Sequence, residues 1–284
     1  MARDEESKTR SHRVAVVTGG SYGLGYAIAG NLIENGFRVV ILARDEAKLR
    51  GAVQKLSGTE GAAMGIPCDV TDVKALESAA SKVEETYGRI DFLIANAGSV
   101  HLGLLEEHSA DVAMSDIGTG LTGTVLTVRS FLPFLKVGAK VLFIASGFGL
   151  MGAAGYTSYC AANAGIINFG EALRRELLCR DIAVYVACPS DIDTPGYRNE
   201  IEQLPGWMNQ AEARGKPLQP EEAANRILSR CRGKRFLIII NPEIRMLLIA
   251  KKLLPERALL YLVDRLFPVP SREDLPSRDQ GCSF

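Results

Sequence analysis

None of the six cysteines (Cys68, Cys160, Cys179, Cys188, Cys231, Cys282) forms a Cys-x-x-Cys pair. A zinc site and a thioredoxin-like redox motif are therefore not expected, and free thiols in a reducing compartment fit better. Charge of one sign is not in excess: Lys plus Arg and Asp plus Glu are both 33, giving a net charge of +0. Nothing in that balance drives the chain toward nucleic acid or an anionic surface. No apolar run reaches membrane-spanning length. The charged start MARDEESKTRSHR has no apolar core and does not read as a secretory signal. A cytoplasmic protein is expected from these absences. One further gap matters later: no lysine occurs between Lys140 and Lys216.

What is present is ordinary globular composition, with 47% hydrophobic and 23% charged residues. Short apolar runs alternate with helical patterns. VAVVTG (14–19), FRVVILA (37–43), AAMGIPCDV (62–70), IDFLIANAG (90–98), KVLFIAS (140–146), IAVYVACP (182–189) and RFLIII (235–240) are strand candidates. Helices are expected at 24–35, 46–56, 73–87, 109–135 and 157–180. Continuous apolar runs suit strands buried on both faces. Their alternation with helices points to an α/β doubly wound parallel sheet of Rossmann type, with about seven strands. One dinucleotide-binding and catalytic domain is expected over 12–240, with an appended helical segment at 241–267. Disordered tails are expected at 1–11 and 268–284.

TGGSYGLG (18–25) follows the first strand and opens a helix. Glycines there allow a tight turn and bring backbone N–H groups and the helix N-terminus to a pyrophosphate. The contact candidates are Thr18, Gly19, Ser21, Tyr22, Gly23, Leu24 and Gly25. A carboxylate at the end of the second strand would hold the ribose 2′-OH of NAD. This chain reads ILARD, which places Arg44 there and favours the 2′-phosphate of NADP(H). The alternative leaves Arg44 in solvent and gives the ribose to Asp45.

That glycine string, CDV (68–70), NAG (96–98), Ser146 thirteen residues before Tyr159, and Pro189-x-x-x-x-Thr194 together resemble the short-chain dehydrogenase/reductases over about 12–240. CPSDIDTPGY and ARDEAKL are most similar to the branch containing 3-ketodihydrosphingosine reductase. The resemblance implies that Asp69 and Val70 border the adenine. It implies that Asn96, Ala97 and Gly98 line the central groove, and that Pro189, Ile192 and Thr194 hold the nicotinamide end. It also implies that Ser146 polarises a carbonyl and Tyr159 transfers the proton. A homo-oligomer, dimer or tetramer, is expected on the same ground.

Two positions depart from the pattern. Asn163 stands four residues after Tyr159, where the family has the lysine that binds the nicotinamide ribose and lowers the tyrosine pKa. The relay asparagine of an earlier helix is also missing: TGLTG offers two registers, one placing it at Gly120, and neither supplies asparagine. Asn163 can still bond a ribose hydroxyl. Without the lysine, Tyr159 is expected to keep a pKa near the ordinary value of about 10. Oxidation of an alcohol would then suffer, while reduction would keep its proton donor. His101, after the NAG strand end, is a candidate proton shuttle on the substrate side or simply a loop histidine in water. Arg129 is expected on a solvated face.

After Thr194, Gly and Pro bracket an amphipathic patch with Tyr197, Leu204, Trp207 and Met208. It reads as a lid over an apolar or lipid-like substrate, or as residues that merely dock the loop. The segment 241–267 is dense in Leu, with Lys and Arg interspersed and Pro255 splitting it. It is expected to pack on the protein or a partner subunit, cover the substrate mouth, or touch a membrane peripherally. Three functions stay open. They are an NADPH-dependent reductase of an apolar or long-chain ketone, a nonredox enzyme on the same scaffold (cyclase, isomerase or dehydratase), and a noncatalytic nucleotide-binding protein.

Overall fold

Alternation within single strands builds the two cores of the protein. In the computed structural model, Val14 and Val16 of β1 (Arg13–Thr18) face one cluster of buried residues, while Ala15 and Val17 face another. The structure describes residues 12–275 apart from 59, 60, 209–215, 234 and 268. The tail expectations for 1–11 and 276–284 lie outside these residues, as does the 209–215 part of the expected lid.

After β1 come α1 (Gly23–Glu34), β2 (Phe37–Ala43), α2 (Glu46–Leu56), β3 (Ala63–Pro67), α3 (Val73–Tyr87) and β4 (Ile90–Ala95). Then follow α4 (Ala110–Asp116), a π-helical turn (Ile117–Thr122), α5 (Gly123–Phe131), β5 (Leu135–Ile144), α6 (Thr157–Glu176) and β6 (Ala183–Ala187). The chain continues through α7 (Pro195–Glu202), α8 (Pro220–Arg230), β7 (Leu237–Ile238), α9 (Pro242–Leu253) and α10 (Glu256–Leu266). The seven strands are parallel and ordered β3-β2-β1-β4-β5-β6-β7. Residues of α1, α2 and α8 fill one core, and those of α3, α5 and α6 the other. Strand order reverses between β1 and β4, which opens a crevice at their carboxyl ends.

Side chains explain the element limits. Asp45 and Asp72 cap α2 and α3 by accepting backbone N–H groups. Gly88, at φ 71°, ends α3 in the left-handed region. The helix expected over 109–135 is interrupted by the π turn and stops at Phe131, because Pro133 cannot continue the ladder. The helix expected to reach 180 stops at Glu176, and Asp181 takes φ 54°. The apolar run 235–240 pairs only at Leu237 and Ile238, and its later residues go into the core instead of the sheet. Cys68, Cys188 and Cys231 are buried and Cys160 half-buried, but Cys179 is exposed. Burial pushes the Cys188 and Cys231 thiols up to about 12, so both stay protonated and inert. Among the described residues no helix is long and apolar enough to cross a membrane.

Candidate active site

The loop between β1 and α1 is locked to β4. The Thr18 hydroxyl accepts the backbone N–H groups of Asn96 (3.0 Å) and Ala97 (3.1 Å). The Asn96 amide donates to the carbonyls of Thr18 (3.0 Å) and Gly19 (3.2 Å). A Cβ at Gly25 would lie 2.4 Å from the Gly19 carbonyl oxygen and 2.5 Å from Asn96 Nδ2, so only glycine fits. Helix α1 has Tyr22 at its N-cap, with no side-chain cap and no acidic residue in its first turn. Its first N–H groups are left for an outside acceptor at the positive end of the helix. This uncapped, side-chain-free cradle fits a pyrophosphate.

One large cleft of about 1310 Å³ starts at this loop. Gly19, Ser21, Tyr22, Gly23, Leu24, Gly25, Arg44, Val70, Asn96, Ala97 and Gly98 line it, and so do Pro189, Ile192 and Thr194. Two expected contacts are not part of this lining. Thr18 is 1% exposed and outside the lining, its hydroxyl spent on the β4 amides, so it positions the loop. Asp69 also stands outside the lining, held by the Thr71 amide and hydroxyl and by Arg44 at 3.8 Å. The carboxylate of Asp45 is tied to the α2 cap, and the Lys48 backbone N–H holds it below the usual carboxylate range. That occupation weakens Asp45 as a ribose ligand. Lys48, which sequence reasoning missed, lines the same end of the cleft, 5.8 Å from the centre of the Tyr22 ring. Its signal was its place one turn into α2, beside Arg44.

Ser146, Tyr159 and Asn163 come together in the middle of the cleft. Ser146 follows β5, and its Oγ accepts the Phe148 N–H at 3.2 Å. Tyr159 lies in the first turn of α6, and the Ser146 hydroxyl acts on its phenol. Asn163 is buried, and its amide donates to the Tyr159 carbonyl at 2.8 Å, one helical turn back. Tyr159 does not keep an ordinary pKa. Burial pushes its phenol up to about 12, and the Glu200 and Asp116 carboxylates add to the rise against the hydrogen bonds from Ser146 and Asn163. Where the family places a cation near this phenol, the charges that act on it here are negative. The phenol is a proton donor and a very poor base.

Sequence reasoning missed both carboxylates, since neither belongs to a local motif. Asp116 is 1% exposed at the start of the π turn. It accepts Ser99 Oγ (3.0 Å), the His101 backbone N–H (3.1 Å) and pairs with His101 Nδ1 (2.8 Å). His101 itself lies outside the cleft lining, because its ring is turned onto Asp116. Glu200 on α7 accepts the Tyr156 hydroxyl at 2.6 Å. The buried Tyr156 ring makes tilted contacts with Phe148 at 4.7 Å and Tyr159 at 6.3 Å, which links the expected lid to the catalytic helix. Arg129 is solvated and pairs with Glu77, as expected.

Tyr197 and Met208 line the cleft, while Trp207 stands behind them against Gly155. A side chain at Gly155 would meet the Met208 sulfur at 2.6 Å and the Trp207 ring at 3.2 Å. Trp207 is the only tryptophan, so its emission reports this contact alone. Saturating NADPH with an apolar ligand should shift the Trp207 emission if the segment closes, and an unchanged spectrum with a ligand shown to bind would exclude closure here. The far wall comes from the C-terminal helices. Ile244 of α9 approaches Gly147 so closely that a Cβ there would lie 2.6 Å away, and Lys251 Nζ donates to the Leu150 carbonyl at 2.8 Å. Leu247, Ala250, Leu262 and Val263 complete a mostly apolar mouth.

Known proteins are similar to this chain in sequence and fold. A family model described as short chain dehydrogenase matches residues 13–205. Carbonyl reductase family member 4 of Danio rerio is 31% identical over 221 residues, 76% of this chain and 90% of that protein. A 3-dehydrosphinganine reductase of Arabidopsis thaliana is 31% identical over 235 residues, 80% of this chain and 69% of that one. A variant of actinorhodin polyketide ketoreductase, solved with NADPH, aligns with a TM-score of 0.76 and 28% identity over 83% of this chain and 98% of its own. The branch suggested by CPSDIDTPGY is thus represented beside other ketoreductases.

Proposed function

The chain belongs to the short-chain dehydrogenase family, and from that premise we propose that it is an NADPH-dependent reductase of an apolar or long-chain ketone. The observation that carries this reading is the phenol of Tyr159, held protonated at the junction of the glycine-loop crevice and the apolar mouth. When bound, NADPH supplies the hydride. The uncapped end of α1 would hold its pyrophosphate, and Arg44 with Lys48 its 2′-phosphate. Ser146 would donate a hydrogen bond to the substrate carbonyl oxygen, and Tyr159 would give that oxygen its proton. Asn163 would reach a ribose hydroxyl in place of the family's lysine. The apolar mouth excludes water and selects a hydrophobic substrate.

The test is NADPH oxidation by purified protein with a panel of ketones that includes 3-keto long-chain amines. Turnover of apolar ketones supports the reading. Cofactor binding without turnover of any ketone rejects it. Asn163 is the observation that favours a second reading, a cyclase, isomerase or dehydratase that retains NADP(H), and this result would promote it. A noncatalytic nucleotide-binding role is the third. NADPH should bind more tightly than NADH, and Arg44→Ala should narrow the difference by about 1–3 kcal/mol. Equal affinities in the unmodified protein, measured by titration calorimetry, would remove the 2′-phosphate assignment.

A further inference from the structure

Helix α9 is apolar on two opposite sides. Ile244, Leu247 and Leu248 face the protein. Met246, Ile249 and Leu253, spaced three and four residues apart, form an outer stripe that is 70%, 51% and 76% exposed. On α10, Val263 is buried, whereas Leu260 and Tyr261 are exposed. The inner apolar side is covered by the protein, and the outer one is not. The stripe adjoins the cleft mouth, since Met246 belongs to both and the exposed Leu262 of α10 also lines the mouth. Charge selects what covers it. Over 241–267 there are five basic residues (Arg245, Lys251, Lys252, Arg257, Arg265), of which Lys251 is turned inward onto the Leu150 carbonyl, against three acidic (Glu243, Glu256, Asp264), in a chain whose total charge is +0. Arg265 also lies 5.0 Å from the centre of the Tyr261 ring, an aromatic and basic pairing suited to a headgroup layer.

We propose that α9 and α10 dock the protein on an anionic lipid surface, with their outer apolar stripe in the headgroup layer and the cleft mouth facing the bilayer. Neither helix spans; both lie in the plane of the interface, split at Pro255. An apolar substrate would then pass from the bilayer into the cleft without crossing water. That last consequence rests on the function proposed above, but the docking does not.

The test is cosedimentation of the full chain with vesicles of phosphatidylcholine alone or with about a third phosphatidylserine. Binding should favour the anionic vesicles and weaken as salt rises. Lys252→Gln with Arg257→Gln should lower affinity by about fivefold per charge, and Leu253→Glu with Leu260→Glu should abolish binding. All four side chains are exposed and outside the cleft lining, so NADPH affinity should be unchanged. Absence of binding, or equal binding to both vesicle types, overturns the proposal. So does a multimer in solution that falls apart with Leu253→Glu, because a second copy would then own the stripe. A protein that binds anionic vesicles yet reduces no ketone keeps the docking and loses the function proposed above.

Discussion

Tyr159→Phe should cut ketone reduction by about 10²–10⁴-fold while leaving NADPH affinity unchanged. The substitution removes the proton donor and keeps the buried ring. A noncatalytic protein would keep its function after this change, so the same variant separates the readings. The pH profile adds a second criterion. With the phenol pushed up to about 12, the donor stays protonated throughout the working range, and reduction should show no loss from this group up to about pH 11. The reverse reaction needs the tyrosinate. At pH 7 its population is roughly one in 10⁵ for a pKa near 12, against one in 10³ for an ordinary tyrosine. Alcohol oxidation should therefore be very weak at neutral pH and rise on the alkaline side.

Asn163→Lys should move that limb to lower pH and raise oxidation more than reduction. The added cation would sit one helical turn from the phenol and oppose the two carboxylates that act on it. Initial rates in both directions across the pH range read the effect. Robust oxidation at neutral pH by the unmodified protein would defeat the account, because the Tyr159 tyrosinate would be too scarce there to serve as the base.

Gly25→Ala should abolish NADPH binding and destabilise the fold by about 1–3 kcal/mol. The new methyl would collide with the Gly19 carbonyl and the Asn96 amide, and neither can retreat because they are bonded to each other. Helix α1 would have to move, and its N-terminus would leave the pyrophosphate position. Gly30→Ala is the control. It lies in the same helix, its Cβ would meet only Leu56 at an ordinary 3.6 Å, and the change should stabilise by about 0.5–1 kcal/mol. Thermal denaturation with and without NADPH measures both effects. A Gly25→Ala protein that NADPH still stabilises would show that the loop does not grip the cofactor as described.

Local chemistry was legible in the sequence. Phe37–Ala43, Glu46–Leu56 and Val73–Tyr87 form the elements expected, limit for limit, because buried β-branched runs and aspartate caps act within a few residues. The glycine loop was legible for the same reason, as was the Ser146–Tyr159 pair through its spacing. The break at Pro255 also followed from one residue. The charge around Tyr159 was not legible. The sequence showed a lysine missing and suggested an ordinary phenol, but burial, Glu200 from α7 and Asp116 from before the π turn raise it further. Burial and long-range charge arise only when distant segments meet in a medium that screens poorly. The position of the C-terminal helices was likewise left open by their composition. Tertiary packing set Ile244 on Gly147 and Lys251 on the Leu150 carbonyl, making these helices a wall of the cleft, because an apolar stripe specifies that it will be covered without specifying by what.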